Sequence, residues 1–192
     1  MNGNLYANFF PLVMLLLTVG YGAACIAGQD EDGTLGMVAT LPLRRGSIVV
    51  QKAAAMTSQV VAFALPFALC VVAGREFDLS TTLGAALSMS AAVGLLGLDL
   101  GLVTMGVGAL TGKRGAALGL GAAIAAASYL VSSLAPVVAW LRPARYASVF
   151  YWAVGNDQVS GGVSWADYAV LVGVGVCALA AAVAAFKRLD LH

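Results

Sequence analysis

QDEDGTLGMVATLPLRRGSIVVQK, residues 29–52, decides how the rest of the chain is read. It is the one long polar interval between two stretches apolar enough to cross a bilayer, and so it lies on a membrane surface. Three acids open it (Asp30, Glu31, Asp32), and Gly33 and Thr34 lead into a half-apolar run from Leu35 to Leu41. Pro42 breaks the run, and Arg44, Arg45 and Lys52 close the interval. An aspartate or threonine ahead of an apolar run can accept orphan backbone N–H groups, and carboxylates favour the positive end of a helix dipole. The pattern predicts a short helix near 32–42 with Asp32 or Thr34 as its N-cap. Pro42 disfavours helical geometry at Leu41 and stops the element after about two turns. A helix that short is not stable alone in water, so a bilayer surface or a partner protein must hold it. The alternative is a solvated connecting loop.

Composition points the same way. The chain has 192 residues, 61% hydrophobic and only 10% charged, with a mean hydropathy of +0.93; soluble domains carry about 25% charged residues. This is the composition of an all-α integral membrane protein. The net charge of +1, with Lys and Arg scattered among loops, argues against nucleic acid as a partner. Cys25, Cys70 and Cys177 lie inside apolar stretches without metal-ligand spacing and read as packing residues. No basic region precedes the first apolar stretch, so a cleaved signal peptide is not expected.

Five stretches are long enough to span: near 6–27, 53–74, 81–110, 116–141 and 165–186, in one transmembrane domain covering 1–192. Alternate loops hold Arg44, Arg45, Lys52, Lys113, Arg114, Lys187 and Arg188 on one side and Arg75, Arg142 and Arg145 on the other. The positive-inside rule then places the N-terminus outside, with residues 29–52 and the C-terminus in the cytoplasm. Trp140, Trp152 and Trp165 fall at the outer boundary, where an aromatic belt belongs. Arg142 to Ser164 is too aromatic for a plain loop and too short and polar to span, and it predicts a pair of short re-entrant or interfacial helices.

Inside the membrane, the third span is the most informative. At 100° per residue, Gly94, Gly97, Gly101 and Gly108 form a smooth stripe that lets another backbone come close. Thr81, Ser88, Ala92 and Asp99 cluster near the opposite side, so protein or water is expected on both faces. Ionised in hydrocarbon, Asp99 would cost roughly 2.5 to 3.5 kcal/mol. It is read either as a substrate-path or proton-binding group, with Ser88 on the same face, or as a structural carboxyl bonded to a neighbouring helix. Gly115 and Gly119 predict another close-packing face on the fourth span, and Pro66 and Pro136 predict kinks in the second and fourth. The turn at Gly108-x-x-x-Gly112-Lys113 lacks the spacing and the Ser or Thr of a phosphate loop, so no nucleotide site is expected.

The order acid, Gly33-Thr34-Leu35, apolar run, Leu41-Pro42-Leu43, Arg44, then Lys52 at the head of a span resembles the cytoplasmic coupling helix of type-2 ABC exporter permeases. Glu31 takes the family's acid position two before the glycine, and Gln29 stands where the family often has a further acid. A second segment, Ser148-Val149-Phe150-Tyr151-Trp152 followed by Gly155, Asp157, Gly162 and Trp165, is similar to that family's outer segment, with Val149 and Gln158 in place of two prolines. The ending Phe186-Lys187-Arg188-Leu189-Asp190-Leu191 is a third match. The family's N-terminal surface helix and first span do not show in this sequence, which leaves three readings: a natural short form, a missing start, or a span supplied by another polypeptide. The resemblance implies a permease subunit of an ATP-driven exporter in the cell membrane, exporting a lipid-like or drug-like molecule. It further implies an ABC ATPase subunit as partner, a second permease copy or a related permease, and ATP and Mg bound by the ATPase rather than by this chain. Glu31, Asp32, Gly33, Thr34, Leu35, Leu41, Pro42 and Arg44 would couple the two.

Catalysis by the chain itself is not expected. His192 is its only histidine, and no nucleophile–base pair or pair of facing acids can be read from the spans. Two other classes remain open: a non-transporting scaffold that anchors an ATPase, and a small ion-coupled secondary transporter using Asp99.

Overall fold

The computed structural model describes residues 9–34, 45–73, 83–135, 137–138, 143–154 and 163–187. Five helices in it are long and apolar enough to cross a membrane. They are α1 (Phe10–Glu31), α2 (Arg45–Ala73), α3 (Leu83–Thr111), α4 (Arg114–Leu134) and α6 (Trp165–Lys187). A 3-10 turn (Pro143–Ala147) and the short α5 (Val149–Val154) lie between α4 and α6. The described residues form a membrane-embedded helical bundle without strands. Large apolar side chains such as Leu16, Leu69, Leu110 and Val176 face outward. A water-soluble monomer does not tolerate so much exposed apolar surface, whereas hydrocarbon welcomes it.

The bundle is built around α3. Its most apolar window is 67% buried, against 17% for α4. Gly94, Gly97, Gly101 and Gly108 turn toward α1 and the adjoining face of α2, where a methyl added at Gly97 would stand 3.3 Å from Thr18 Cγ2. Met14, Thr18 and Ala27 meet these glycines in the same chain order, so α1 and α3 run parallel. At Gly22 the approach is backbone to backbone, because a Cβ there would run into the Gly101 carbonyl. On its other side α3 meets α6, also parallel: Tyr168 donates to the Ser88 carbonyl at 2.6 Å, Asp99 faces Gly175, and Gly106 lies on Ala182. Protein therefore covers both faces of α3.

Local chemistry sets the helix ends. Pro11 occupies the first turn of α1, where its missing N–H leaves no bond unmade. Near its far end α1 widens into a π-helical segment, Ala24–Gly28, before closing as α-helix at Gln29–Glu31. Gly33 stops it at φ 69°, a left-handed conformation that favours glycine, with its N–H on the Asp30 carbonyl at 3.0 Å. The three acids therefore belong to the end of α1, a turn beyond the limit near 27 expected from hydropathy. Asp32 caps the C-terminal end of Gln29–Glu31, and its N–H bonds the Gly28 carbonyl. The predicted coupling helix, with Leu35, Leu41, Pro42 and Arg44, lies outside the described residues.

α2 begins at Arg45, eight residues ahead of the stretch near 53–74, because Ile48, Val49 and Ala53 bury one side of this polar lead-in against the bundle. It runs through Pro66 as one helical element. α3 and α4 form a tight antiparallel hairpin through Gly112, φ 60°, and the extended Lys113. α4 ends at Leu134, short of the limit near 141, since a helix seldom continues into a proline such as Pro136. Its close-packing glycine is Gly121, against Thr104, whereas Gly115 and Gly119 have nothing within 4 Å. α6 opens with a reciprocal cap: Ser164 N–H to Asp167 Oδ2 at 3.1 Å and Asp167 N–H to Ser164 Oγ at 3.3 Å.

The two ends of the bundle differ chemically. Lys52, Lys113, Arg114 and Lys187 gather at the basic end, where α1, α3 and α6 finish. Tyr146, Trp152 and Trp165 mark the aromatic end. There α5 tucks inward: Phe150 and Ala153 are buried with Val19, Leu96, Leu100 and Leu171. Ser148 ties this segment to α4, donating to the Ser128 carbonyl at 2.7 Å, and Trp152 Nε1 donates to the Tyr146 carbonyl at 2.9 Å.

Candidate functional site

Acids at the last turn of a helix face its negative end, an unfavourable position by itself. The fold offsets this by placing the next positive helix end beside them. Lys113, the N-cap of α4, offers no side-chain cap, and Glu31 supplies one from 83 residues away: Oε1 accepts the Arg114 N–H at 3.1 Å. Asp30 Oδ2 lies against Gly112, 3.2 Å from where a Cβ would be, and the stem of Arg114 covers Gly28. Gln29 Oε1 accepts from Lys52 Nζ, so α2 is fastened to the same place. Thr34 Oγ1 donates back to the Gln29 carbonyl at 3.2 Å, tightening the turn at the end of α1. Three helices thus meet at the end of α1, just ahead of residues 35–44 in sequence.

Of the residues expected to couple to an ATPase, Glu31, Asp32, Gly33 and Thr34 lie in this junction; Glu31 acts as a cap and Gly33 as a helix stop. Replacing Glu31 with alanine is expected to lower stability by about 1 kcal/mol, the usual scale for losing a cap. Detergent melting of Glu31→Ala beside Asp32→Ala, at an exposed side chain, checks this; equal melting temperatures would deny the cap.

Asp99 lies elsewhere, about halfway along α3, and is 1% exposed. Neither carboxyl oxygen has a hydrogen-bond partner among the described residues. It is not joined to Ser88, whose carbonyl takes the Tyr168 hydroxyl at 2.6 Å.

Sequence reasoning missed a groove of about 500 Å³ between α1 and α4, lined by Leu12, Leu16, Val19, Ala122, Ala126 and Phe150 among others. Tyr129 closes on Phe150 edge to face, ring centroids 5.4 Å apart. Its size and apolar lining fall in the range of small-molecule sites. The one signal available in sequence was the run of alanines on α4, which leaves room beside the leucines of α1. Among the described residues, no group of three or more metal-ligating side chains occurs.

Comparison of the chain with protein-family models, with curated proteins and with solved structures gives no match.

Proposed function

We propose that this chain is the membrane-spanning permease subunit of an ATP-driven exporter of the type-2 ABC kind, working beside a second permease unit and separate ATPase subunits. The observation that carries the reading is the junction at the basic end. The segment resembling a coupling helix follows directly in sequence on the turn where Gln29 and Glu31 fasten α1 to α2 and α4. A push on that segment reaches three helices together, which is what converting ATPase closure into helix movement requires. The basic end faces the cytoplasm in this reading, in keeping with the bias of Lys and Arg toward that side. Movement of α1 against α4 changes the width of the groove between them, and its apolar walls suit a lipid-like or drug-like molecule. ATP and Mg belong to the ATPase, and the permease contributes force transmission and a path.

The test is co-purification of the chain with an ATPase, followed by ATP-dependent flux in liposomes. Flux without ATP would favour an ion-coupled transporter, for which the unpartnered Asp99 speaks; ATPase binding without flux would leave a scaffold. Within the exporter reading, Ala126→Trp should fill the groove and cut flux about tenfold, a loss of about 1.4 kcal/mol, while ATP hydrolysis persists. Unchanged flux would move the path elsewhere.

A further inference from the structure

Asp99 lies about 24 Å along α3 from Leu83 and about 18 Å from Thr111 at 1.5 Å per residue, far from either end of a core about 30 Å thick. Opposite it α6 presents Gly175, and a Cβ there would stand 2.6 Å from Asp99 Oδ1. The missing side chain makes the slot that holds the carboxyl. The slot is closed, since the side chain is 1% exposed, and it supplies no hydrogen bond to either oxygen.

The ionisable groups described on the surrounding helices are engaged away from Asp99 or, like Cys70 and Cys177, exposed. On α6, Asp167 serves the Ser164 cap, Tyr168 bonds the Ser88 carbonyl and Lys187 stands at the last turn. From α1, Tyr21 and Cys25 lie in the apolar cluster of the basic end, and Cys25 Sγ bonds the Gly22 carbonyl. Lys52 of α2 is on Gln29. Arg114 is the first residue of α4, Tyr129 meets Phe150 edge to face, and Tyr151 of α5 lies under Arg145. Among the described residues no cation neutralises the carboxyl, and an ionised carboxylate without donors in so dry a place is strongly disfavoured.

We propose that Asp99 is a reversible proton-binding site, neutral while the α3–α6 seam is closed and ionised only when α6 withdraws from Gly175's position and water enters. On opening, the carboxyl O–H bond breaks and its proton passes to water; on closing, a proton returns from water and the charge disappears. The sign follows directly: acid favours the closed seam and alkali the open one, because ionisation is permitted only in the open form. This inference stands apart from the exporter reading, since it needs neither ATP nor a partner.

The test is pH-titrated infrared difference spectroscopy of the full chain in lipid nanodiscs, with Asp99→Asn and Asp99→Glu beside the wild type. At about pH 6 a protonated-carboxyl band should be present, absent from Asp99→Asn and displaced in Asp99→Glu. It should convert reversibly to carboxylate as the pH is raised. Gly175→Ala should displace the band, since its methyl intrudes on the slot. If Asp99→Asn does not fold, the displacement in Asp99→Glu makes the assignment. A carboxylate already present at about pH 6, or a band indifferent to substitution at Asp99, overturns the proposal; so does an acid band that persists to about pH 11 without exchanging with deuterium, which would mark a sealed structural group.

Discussion

Gly22→Leu is expected to destabilise the protein by about 3 kcal/mol or more, the upper end of what overpacking does. The cause is local and rigid. A Cβ at Gly22 meets the Gly101 carbonyl oxygen and, at 3.2 Å, the Met105 backbone nitrogen, so no rotamer change on the far side relieves the clash. Relief requires α1 to move off α3, which opens the seam from Met14 to Ala27 and uncovers the glycine stripe. Small residues are common where membrane helices touch for this reason: backbones approach closely and gain dispersion over a long contact. The comparison is Gly20→Leu, two residues away with nothing within 4 Å. Melting in detergent should fall sharply for Gly22→Leu and hardly at all for Gly20→Leu. Equal behaviour of the two would mean that α1 and α3 do not touch in this register.

If the chain is the exporter subunit proposed above, Thr34→Arg should leave ATP hydrolysis by the ATPase running while transport falls tenfold or more. Thr34 follows the left-handed Gly33 directly, and its hydroxyl draws the departing chain back onto the Gln29 carbonyl. Arginine removes that bond and sets a long cation on the surface proposed to meet the ATPase. A tenfold loss is about 1.4 kcal/mol of coupling, a modest demand on a docking contact. The checks are ATPase rate and flux measured on one reconstituted preparation, together with the melting temperature, which should hold because Thr34 is exposed. Flux that persists in step with hydrolysis would remove the segment from the coupling role. Loss of both activities would indicate that the subunits no longer bind.

Much of the architecture could be read from residue order alone, and the reasons are particular. The five spans follow from uninterrupted apolar length. The centrality of α3 follows from one helix carrying glycines on one side and small or polar residues on the other, a pattern that suits protein on both sides. What escaped is pairwise. Nothing in the spacing of residues 99 and 175 announces that a carboxyl on one helix fits the gap left by a glycine on another. Asp30 and Glu31 looked like the way out of the membrane because hydropathy sees charge and not the unpaired N–H groups of α4 that draw the helix on by a turn. Gly115 and Gly119 had the right interval for close packing, but an interval cannot say which side of a helix meets a neighbour, and Gly121 does so instead.

The wide turn at Ala24–Gly28 carries a consequence for the acids beyond it. Such a turn holds about one residue more than an α-turn, which rotates everything downstream by about 100°. Without it, the azimuth now held by Glu31 would pass to Asp30, whose side chain is one methylene shorter. The supernumerary residue therefore selects which of three consecutive carboxylates reaches across to α4; closing the turn to α-geometry at unchanged length would re-index that choice, whereas excising one position from 24–28 would return it to Glu31.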